Sequence, residues 1–380
     1  MTKTLFEPVI FLVLLFNASS LQAEDPVNDR ETYPRPKAAK AEEAKIAKFS
    51  IERAGTFLDN ASMTWLREQK CASCHTNYPH LLAKTALDAN APAARIMRRY
   101  LEERVMGWDE GGKNKGLPEE EDEAITEVVA TAATLALNDV QVENKLNDRT
   151  KRALDRIWTI QRKDGAWGWN QHGLPPQELD EYYGAVYAAI GVGHAPGGYG
   201  RSEAAKEGVA KLRAYLNKHE APNLHHRLML VWAAQKIEGL MSAEEQAKAI
   251  QEVIALQRKD GGWNLPSLVK WRRHDGTAND ETLSDGYATG FMLYILKQTN
   301  AKRTDAIDRG LAWLTSNQRE SGRWFTRSIS ADRAHYIANA GSAYAILAIK
   351  AWESLPAYAP THTRCRELLL CALRLMRNAF

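Results

Sequence analysis

Gln161-Arg-Lys-Asp-Gly-Ala-Trp167 returns as Gln257-Arg-Lys-Asp-Gly-Gly-Trp263 and again as Gln318-Arg-Glu-Ser-Gly-Arg-Trp324. In each copy glycine follows the glutamine by four residues and tryptophan follows it by six. A glycine at that place suits the positive φ that ends a helix. Asp164 and Asp260 are placed to accept from backbone N–H groups of the turn. Trp167, Trp263 and Trp324 offer apolar plates that cover the glutamine and the adjoining helix end. An apolar residue stands four positions before each glutamine: Ile157, Val253 and Leu314. Three copies of one helix-ending turn make this a repeat protein built from helices.

The register extends upstream to a different chemistry. In Trp65-Leu-Arg-Glu-Gln-Lys-Cys-Ala-Ser-Cys-His-Thr76, Gln69 stands six residues before His75, and Trp65 stands four before Gln69. His75 therefore takes the place that tryptophan holds in the other copies. Cys71-Ala-Ser-Cys74-His75 is the spacing that attaches a c-type haem. Each thiol can form a thioether to a vinyl group, and the adjacent imidazole can ligate the iron. Two plainer readings stay open: a CxxC disulfide or dithiol, and half of a zinc site. Zinc requires further ligands, and the remaining cysteines, Cys365 and Cys371, lie at the far end of the chain.

The Gln-x-x-Asp-Gly-x-Trp turns and the helix pairs around them resemble the squalene-hopene cyclase and protein prenyltransferase superfamily. More narrowly, the chain is similar to exported bacterial squalene-cyclase-like proteins that carry a CxxCH motif. The resemblance implies an all-α fold, an α/α toroid of about six outer–inner helix pairs around a cavity that could hold an apolar, terpenoid-sized molecule. Helical patterning independently gives outer helices near 42–69, 92–107, 147–162, 201–219, 243–258 and 303–319. Asp59-Asn60 is expected to break the first. Inner partners fall near 76–89, 119–138, 179–194, 222–238, 281–298 and 333–353. Tyr182-Tyr-Gly-Ala-Val-Tyr-Ala-Ala-Ile-Gly191 is typical of them, with little amphipathicity and so packing on both sides.

The reactions of that superfamily do not transfer with its fold. Its cyclases use an Asp-x-Asp-Asp acid, whereas the nearest stretch here is Asn279-Asp280-Glu281-Thr-Leu-Ser-Asp285. Its prenyltransferases hold zinc with Asp, Cys and His, and no cysteine occurs between Cys74 and Cys365. The starts of the inner helices share one rim, where acidic residues are ordinary caps. Asp280 and Asp285 remain catalytic candidates there, as do His225, His226 and His335, whose imidazoles can ligate iron or shuttle a proton. Met63, Met97 and Met106 join the rim histidines as candidates for a sixth iron ligand.

The ends of the chain set the compartment. Residues 1–23 read as a secretory signal, with Lys3, an apolar run from Val9 to Phe16, and small residues Ala18, Ser19, Ser20 and Ala23. Export to the periplasm or cell envelope permits both haem attachment and a disulfide. Residues 24–41, with Pro26, Pro34 and Pro36, read as a flexible leader, 42–353 as the toroid, and 354–380 as a linker and amphipathic helix. Cys365, Leu369, Ala372, Leu373, Met376 and Phe380 share a face of that helix, which can dock on its own domain or lie on an anionic membrane. The net charge of +3 is small, and no basic-aromatic cluster suggests nucleic acid. The sequence supports an exported c-type haem protein acting in electron transfer, through a redox partner, or in oxidation of a substrate in the ring. The alternatives are a terpenoid-binding or cyclase-like protein with the CxxCH as a disulfide staple, and a non-catalytic scaffold.

Overall fold

The computed structural model describes residues 27–108, 121–277, 279, 281–329, 332 and 336–353. The expected signal at 1–23, the C-terminal helix at 361–380, Asp280 and His335 lie outside the described residues. Within them the protein is all-α. Its α-helices are α1 (Ile51–Gln69), α2 (Asn77–Leu87), α3 (Pro92–Gly107), α4 (Glu121–Val142), α5 (Asp148–Thr159) and α6 (Glu181–His194). They continue as α7 (Glu203–Lys218), α8 (Leu224–Ala234), α9 (Ala243–Ala255), α10 (Gly286–Gln298), α11 (Asp305–Asn317) and α12 (Tyr336–Glu353).

The helix starts follow from local chemistry. Ser50, Asn147, Asp180, Asn223, Ser242 and Asp285 are N-caps whose side chains accept a backbone N–H of the first turn. Ser242 and Glu245 complete a reciprocal capping box. Asp59-Asn60 does not break α1. The Asp59 carboxylate accepts from His80 Nε2 at 2.9 Å and Lys84 Nζ at 2.6 Å on α2. So engaged, it does not compete for the helix backbone.

Even- and odd-numbered helices bury different amounts of themselves. In α10 every residue from Gly286 to Leu296 is buried, whereas α9 buries only Ala249 and Val253. A helix buried all round belongs between other elements, and one with a narrow apolar stripe belongs outside them. Accordingly α2 packs on α4, α4 on α6, α6 on α8, α8 on α10, α10 on α12, and α12 on α2. The odd-numbered helices flank them, with α3 on α4, α7 on α6, α9 on α8 and α11 on α10.

The repeated turns share one bonding scheme. The indole N–H of Trp167, Trp263 and Trp324 donates to the carbonyl of Ile157, Val253 and Leu314 respectively, each at 2.8 Å. All three tryptophans are fully buried. Each glutamine amide donates twice. One bond closes its own turn, to Gly165, Gly261 or Gly322 O at 2.8–3.0 Å. The other reaches the next odd-numbered helix: Gly208 O in α7, Ala306 O in α11 and Ser50 O at the start of α1. Gly165, Gly261 and Gly322 have φ of +100°, +93° and +95°. A Cβ on Gly322 would also lie 2.2 Å from Arg53 O, so both the turn and the close approach require glycine.

The segment expected as a flexible leader is mostly exposed where it is described, with Tyr33 and Ala39 buried, and is tied to the helices at a few points. Arg67 donates to Val27 O and Tyr33 O at 3.0 and 3.2 Å. The buried Arg323 donates to Lys37 O. Carbonyl acceptors supply what its few apolar side chains do not.

Candidate functional site

The Cys71–His75 loop begins where α1 ends. Lys70 adopts the left-handed conformation, with φ of 54°, and its N–H donates to Leu66 O. Asn77, the first residue of α2, holds the loop from both sides. Its Oδ1 accepts from Ser73 N at 3.1 Å, and its Nδ2 donates to Ser62 O and Oγ at 3.1 and 2.9 Å. Gln177 Nε2 donates to Cys74 O at 2.9 Å, and Asn339 Nδ2 from α12 donates to Thr76 Oγ1 at 3.1 Å. Four backbone and side-chain anchors therefore present the motif in one conformation.

Cys71 and Cys74 are unbridged and half-buried. Burial pushes both thiols above their ordinary pKa, with nearby Glu178 adding to the effect at Cys74. A dithiol built for exchange needs the opposite shift. The His75 imidazole is pushed down to about 3 by burial, so it is neutral at physiological pH. Its Nδ1 lies 2.8 Å from Thr76 Oγ1. Its ring packs edge-on against Trp65, with centroids 4.7 Å apart and planes at 83°. His75 thus meets the residue four places before Gln69, as each tryptophan meets its counterpart. Gln69 itself is exposed, which sets this loop apart from the other three turns.

Two small cavities adjoin the motif. Cys74 opens on one of about 20 Å³, to which Tyr78, Leu137, Tyr187, Trp232, Tyr294 and Tyr344 contribute. Those six side chains come from α2, α4, α6, α8, α10 and α12 in turn. His75 opens on another of about 30 Å³, with Leu265, Trp271, Arg327 and Ile337 in its wall. Gln177 lies between, lining both. Such volumes hold roughly one water each, against ~150 Å³ for a cavity that takes benzene.

The other candidates are dispersed. His225 is buried within α8, 3.0 Å from Tyr287 OH and stacked on Phe291 with centroids 4.2 Å apart. Burial pushes its pKa well down. His226 is buried beside its own N-cap, with Nδ1 2.7 Å from Asn223 Oδ1 and Nε2 3.3 Å from Asp180 Oδ1. Both are core residues and not part of an open rim. Leu268, in the connection after the second Gln-Trp turn, covers this helix start and accepts from His225 N at 3.2 Å. Asp285 caps α10, accepting from Ala288 N at 2.9 Å and Leu265 N at 2.6 Å. Met63 and Met97 are fully buried in α1 and α3, and Met106 is exposed.

A larger pocket that sequence reasoning missed, of about 220 Å³, lies beside the His75 cavity and shares Leu265, Trp271 and Arg327 with it. Its lining comes from Ala41 and Lys45 before α1, Asp260 in the second turn, the 264–285 connection, α11 and the third turn with the residues after it. No motif marks those segments as one site.

No family model and no curated protein matches the chain. Among solved structures, a protein from Actinoplanes is similar, at 13% identity and a TM-score of 0.45 over 79% of this chain and 97% of that one. So distant a likeness carries no argument about function.

Proposed function

We propose that the chain is an exported α/α toroid of six outer–inner helix pairs, related in fold to the squalene-hopene cyclases, with a covalent c-type haem at Cys71, Cys74 and His75 that serves electron transfer. The toroid is supported by the even-numbered helices, each packed on the next and α12 on α2, and by the cavity to which all six contribute. The flanking helices are joined turn to helix by the second bond of each glutamine.

The haem reading rests on one observation: two unbridged thiols directly precede an imidazole that is neutral and anchored at Nδ1. Cys71 and Cys74 would hold the macrocycle, and His75 the iron. A ligating imidazole must be neutral, and a bond at one ring nitrogen orients the other toward the metal. Bound haem supplies one-electron chemistry. The donors fit; the space does not. A macrocycle needs far more than 30 Å³ beside His75, so a haem can be seated only if the wall that includes Leu265, Trp271 and Ile337 parts.

Aromatic side chains fill the ring centre, leaving about 20 Å³. That favours exchange with a redox partner at the rim over oxidation of a terpenoid held inside. The same cramped packing supports a second reading, a terpenoid-type fold or scaffold in which Cys71 and Cys74 form a disulfide staple. Pyridine haemochrome spectra of protein from a haem-maturing, exporting host separate the two. A c-type spectrum lost in the Cys71→Ala, Cys74→Ala double variant supports the haem. No haem signal in the parent supports the staple.

A further inference from the structure

The 220 Å³ pocket is walled by three aromatic rings: Trp271, Trp313 and Phe325. Leu265 and Pro266 line it too, and the lining residue Leu283 is 64% exposed, so the pocket meets solvent on that side. The volume exceeds the ~150 Å³ that admits benzene, and suits a ligand of about one ring with its substituents.

Its polar groups are unevenly served. Lys45, Arg319 and Arg327 line it against the carboxylates of Asp260 and Asp285. Both carboxylates are already used inside the protein. Asp260 accepts from Gly262 N at 3.1 Å, Ser284 Oγ at 2.7 Å and Trp313 Nε1 at 3.0 Å. Asp285 accepts from the N–H groups of Ala288 and Leu265. On the donor side, Trp271 Nε1 and Arg319 Nε are buried without a hydrogen-bond partner, as is one acceptor, Asn279 Oδ1. Buried polar atoms of this kind call for an explanation, and three of them on residues of one aromatic pocket have a common one. Arg319 Nη1 also donates to Glu43 O, and Arg327 lies 3.5 Å from the Asp332 carboxylate. The unserved donors are therefore Trp271 Nε1 and Arg319 Nε. With Lys45 also in the lining they call for an anionic acceptor, and the orphaned Asn279 Oδ1 calls for one donor on the same ligand.

We propose that this pocket binds a ring-sized carboxylate carrying one hydroxyl or amino donor, its ring between Trp271, Trp313 and Phe325 and its carboxylate toward Arg319 and Trp271 Nε1. The site does not depend on the haem, and through Leu265, Trp271 and Arg327 it abuts the cavity on which His75 opens.

The test uses the full chain and 4-hydroxybenzoate, a probe of about ten non-hydrogen atoms, followed by isothermal calorimetry. The neutral analogue 4-hydroxybenzyl alcohol is the control. Saturable binding in the millimolar range or tighter is expected, with the alcohol about tenfold weaker, the effect of one charge-assisted hydrogen bond. Trp271→Phe keeps a ring and removes the donor, and should weaken 4-hydroxybenzoate by a similar factor. Leu283→Glu places a repelling charge at an exposed lining position where the fold is not at stake, and should also weaken it. Absence of saturable binding overturns the proposal, as does equal binding of the alcohol. So does undiminished binding by Leu283→Glu with an unchanged melting curve, and that variant decides the matter should Trp271→Phe fail to fold.

Discussion

Gln318 and Ser50, 268 residues apart in sequence, are joined by two hydrogen bonds. The Gln318 amide donates to Ser50 O at 2.8 Å, and its Oε1 accepts from Ser50 N at 2.9 Å. The contact ties the last Gln-Trp turn to the first residue before α1. It is the same outward bond that Gln161 makes to α7 and Gln257 to α11. Gln318→Ala removes both bonds and the one to Gly322 O, and takes the acceptor from the half-buried Ser50 N–H, while Ser50 O still accepts from Ala54 N at 3.3 Å. It should cost on the order of 3 kcal/mol in denaturant unfolding. A loss under about 0.5 kcal/mol would mean that the two ends of the fold are held by something else.

Glycine substitution tests the close approach of each turn to the next helix. Gly322→Ala combines a φ of +95° with a Cβ 2.2 Å from Arg53 O. Gly173, at φ +66° with nothing within 4 Å, is the control. Gly173→Ala should cost about 1 kcal/mol from backbone strain alone. Gly322→Ala should cost at least twice that or prevent folding. Equal melting temperatures for the two variants would contradict the geometry.

The buried tryptophans separate packing from hydrogen bonding. Trp263→Ala should cost about 3–5 kcal/mol. Trp263→Phe keeps an aromatic plate but removes one of the two bonds to Val253 O, which still accepts from Leu256 N at 3.1 Å, so about 0.5–1.5 kcal/mol is expected beyond any packing loss. Trp167 and Trp324, bonded at the same 2.8 Å, should behave alike. Divergent costs at the three sites would show that the repeats are not equivalent.

How much of this was legible in the sequence depended on the range of the interaction. The packing of each tryptophan over its own helix end is local, so spacing exposed it, but the indole's bond to the carbonyl four residues before the glutamine did not show. The outward bond of the same glutamine did not show, because Gly208, Ala306 and Ser50 bear no mark of being acceptors. His225 and His226 were read as rim residues from their place at the start of α8. The 264–270 connection reaches His225 through Leu268 O, and the start of α6 packs Asp180, Tyr182 and Tyr183 against His226, long-range contacts that no local pattern encodes. The break expected at Asp59 failed for a similar reason: the partners His80 and Lys84 lie on the next helix. The aromatic pocket drew its lining from separate segments and left no spacing to find.

Asp285 gives a pH signature. Burial raises its pKa to about 6, against backbone hydrogen bonds that favour the charged form. The folded-state pKa lies above the ordinary 3.8. The unfolded chain therefore holds the charge more easily, and Asp285 costs stability at neutral pH. That cost fades as pH falls through 6 toward 4. Compared with wild type, Asp285→Asn should lose this component, so the stability difference between the two should change steadily across pH 4–7. A difference constant with pH would show that Asp285 titrates in the fold as it does in water.

Electron transfer by this protein requires that Cys71 and Cys74 carry a haem. Intact mass of the full chain, produced in a host that exports protein and matures c-type haem, tests this most directly. The expected mass is that of the processed polypeptide plus one haem. In the Cys71→Ala, Cys74→Ala variant the polypeptide mass alone is expected, with the helical signal retained. A wild-type mass equal to the bare chain, with both thiols recovered after reduction, would contradict haem attachment.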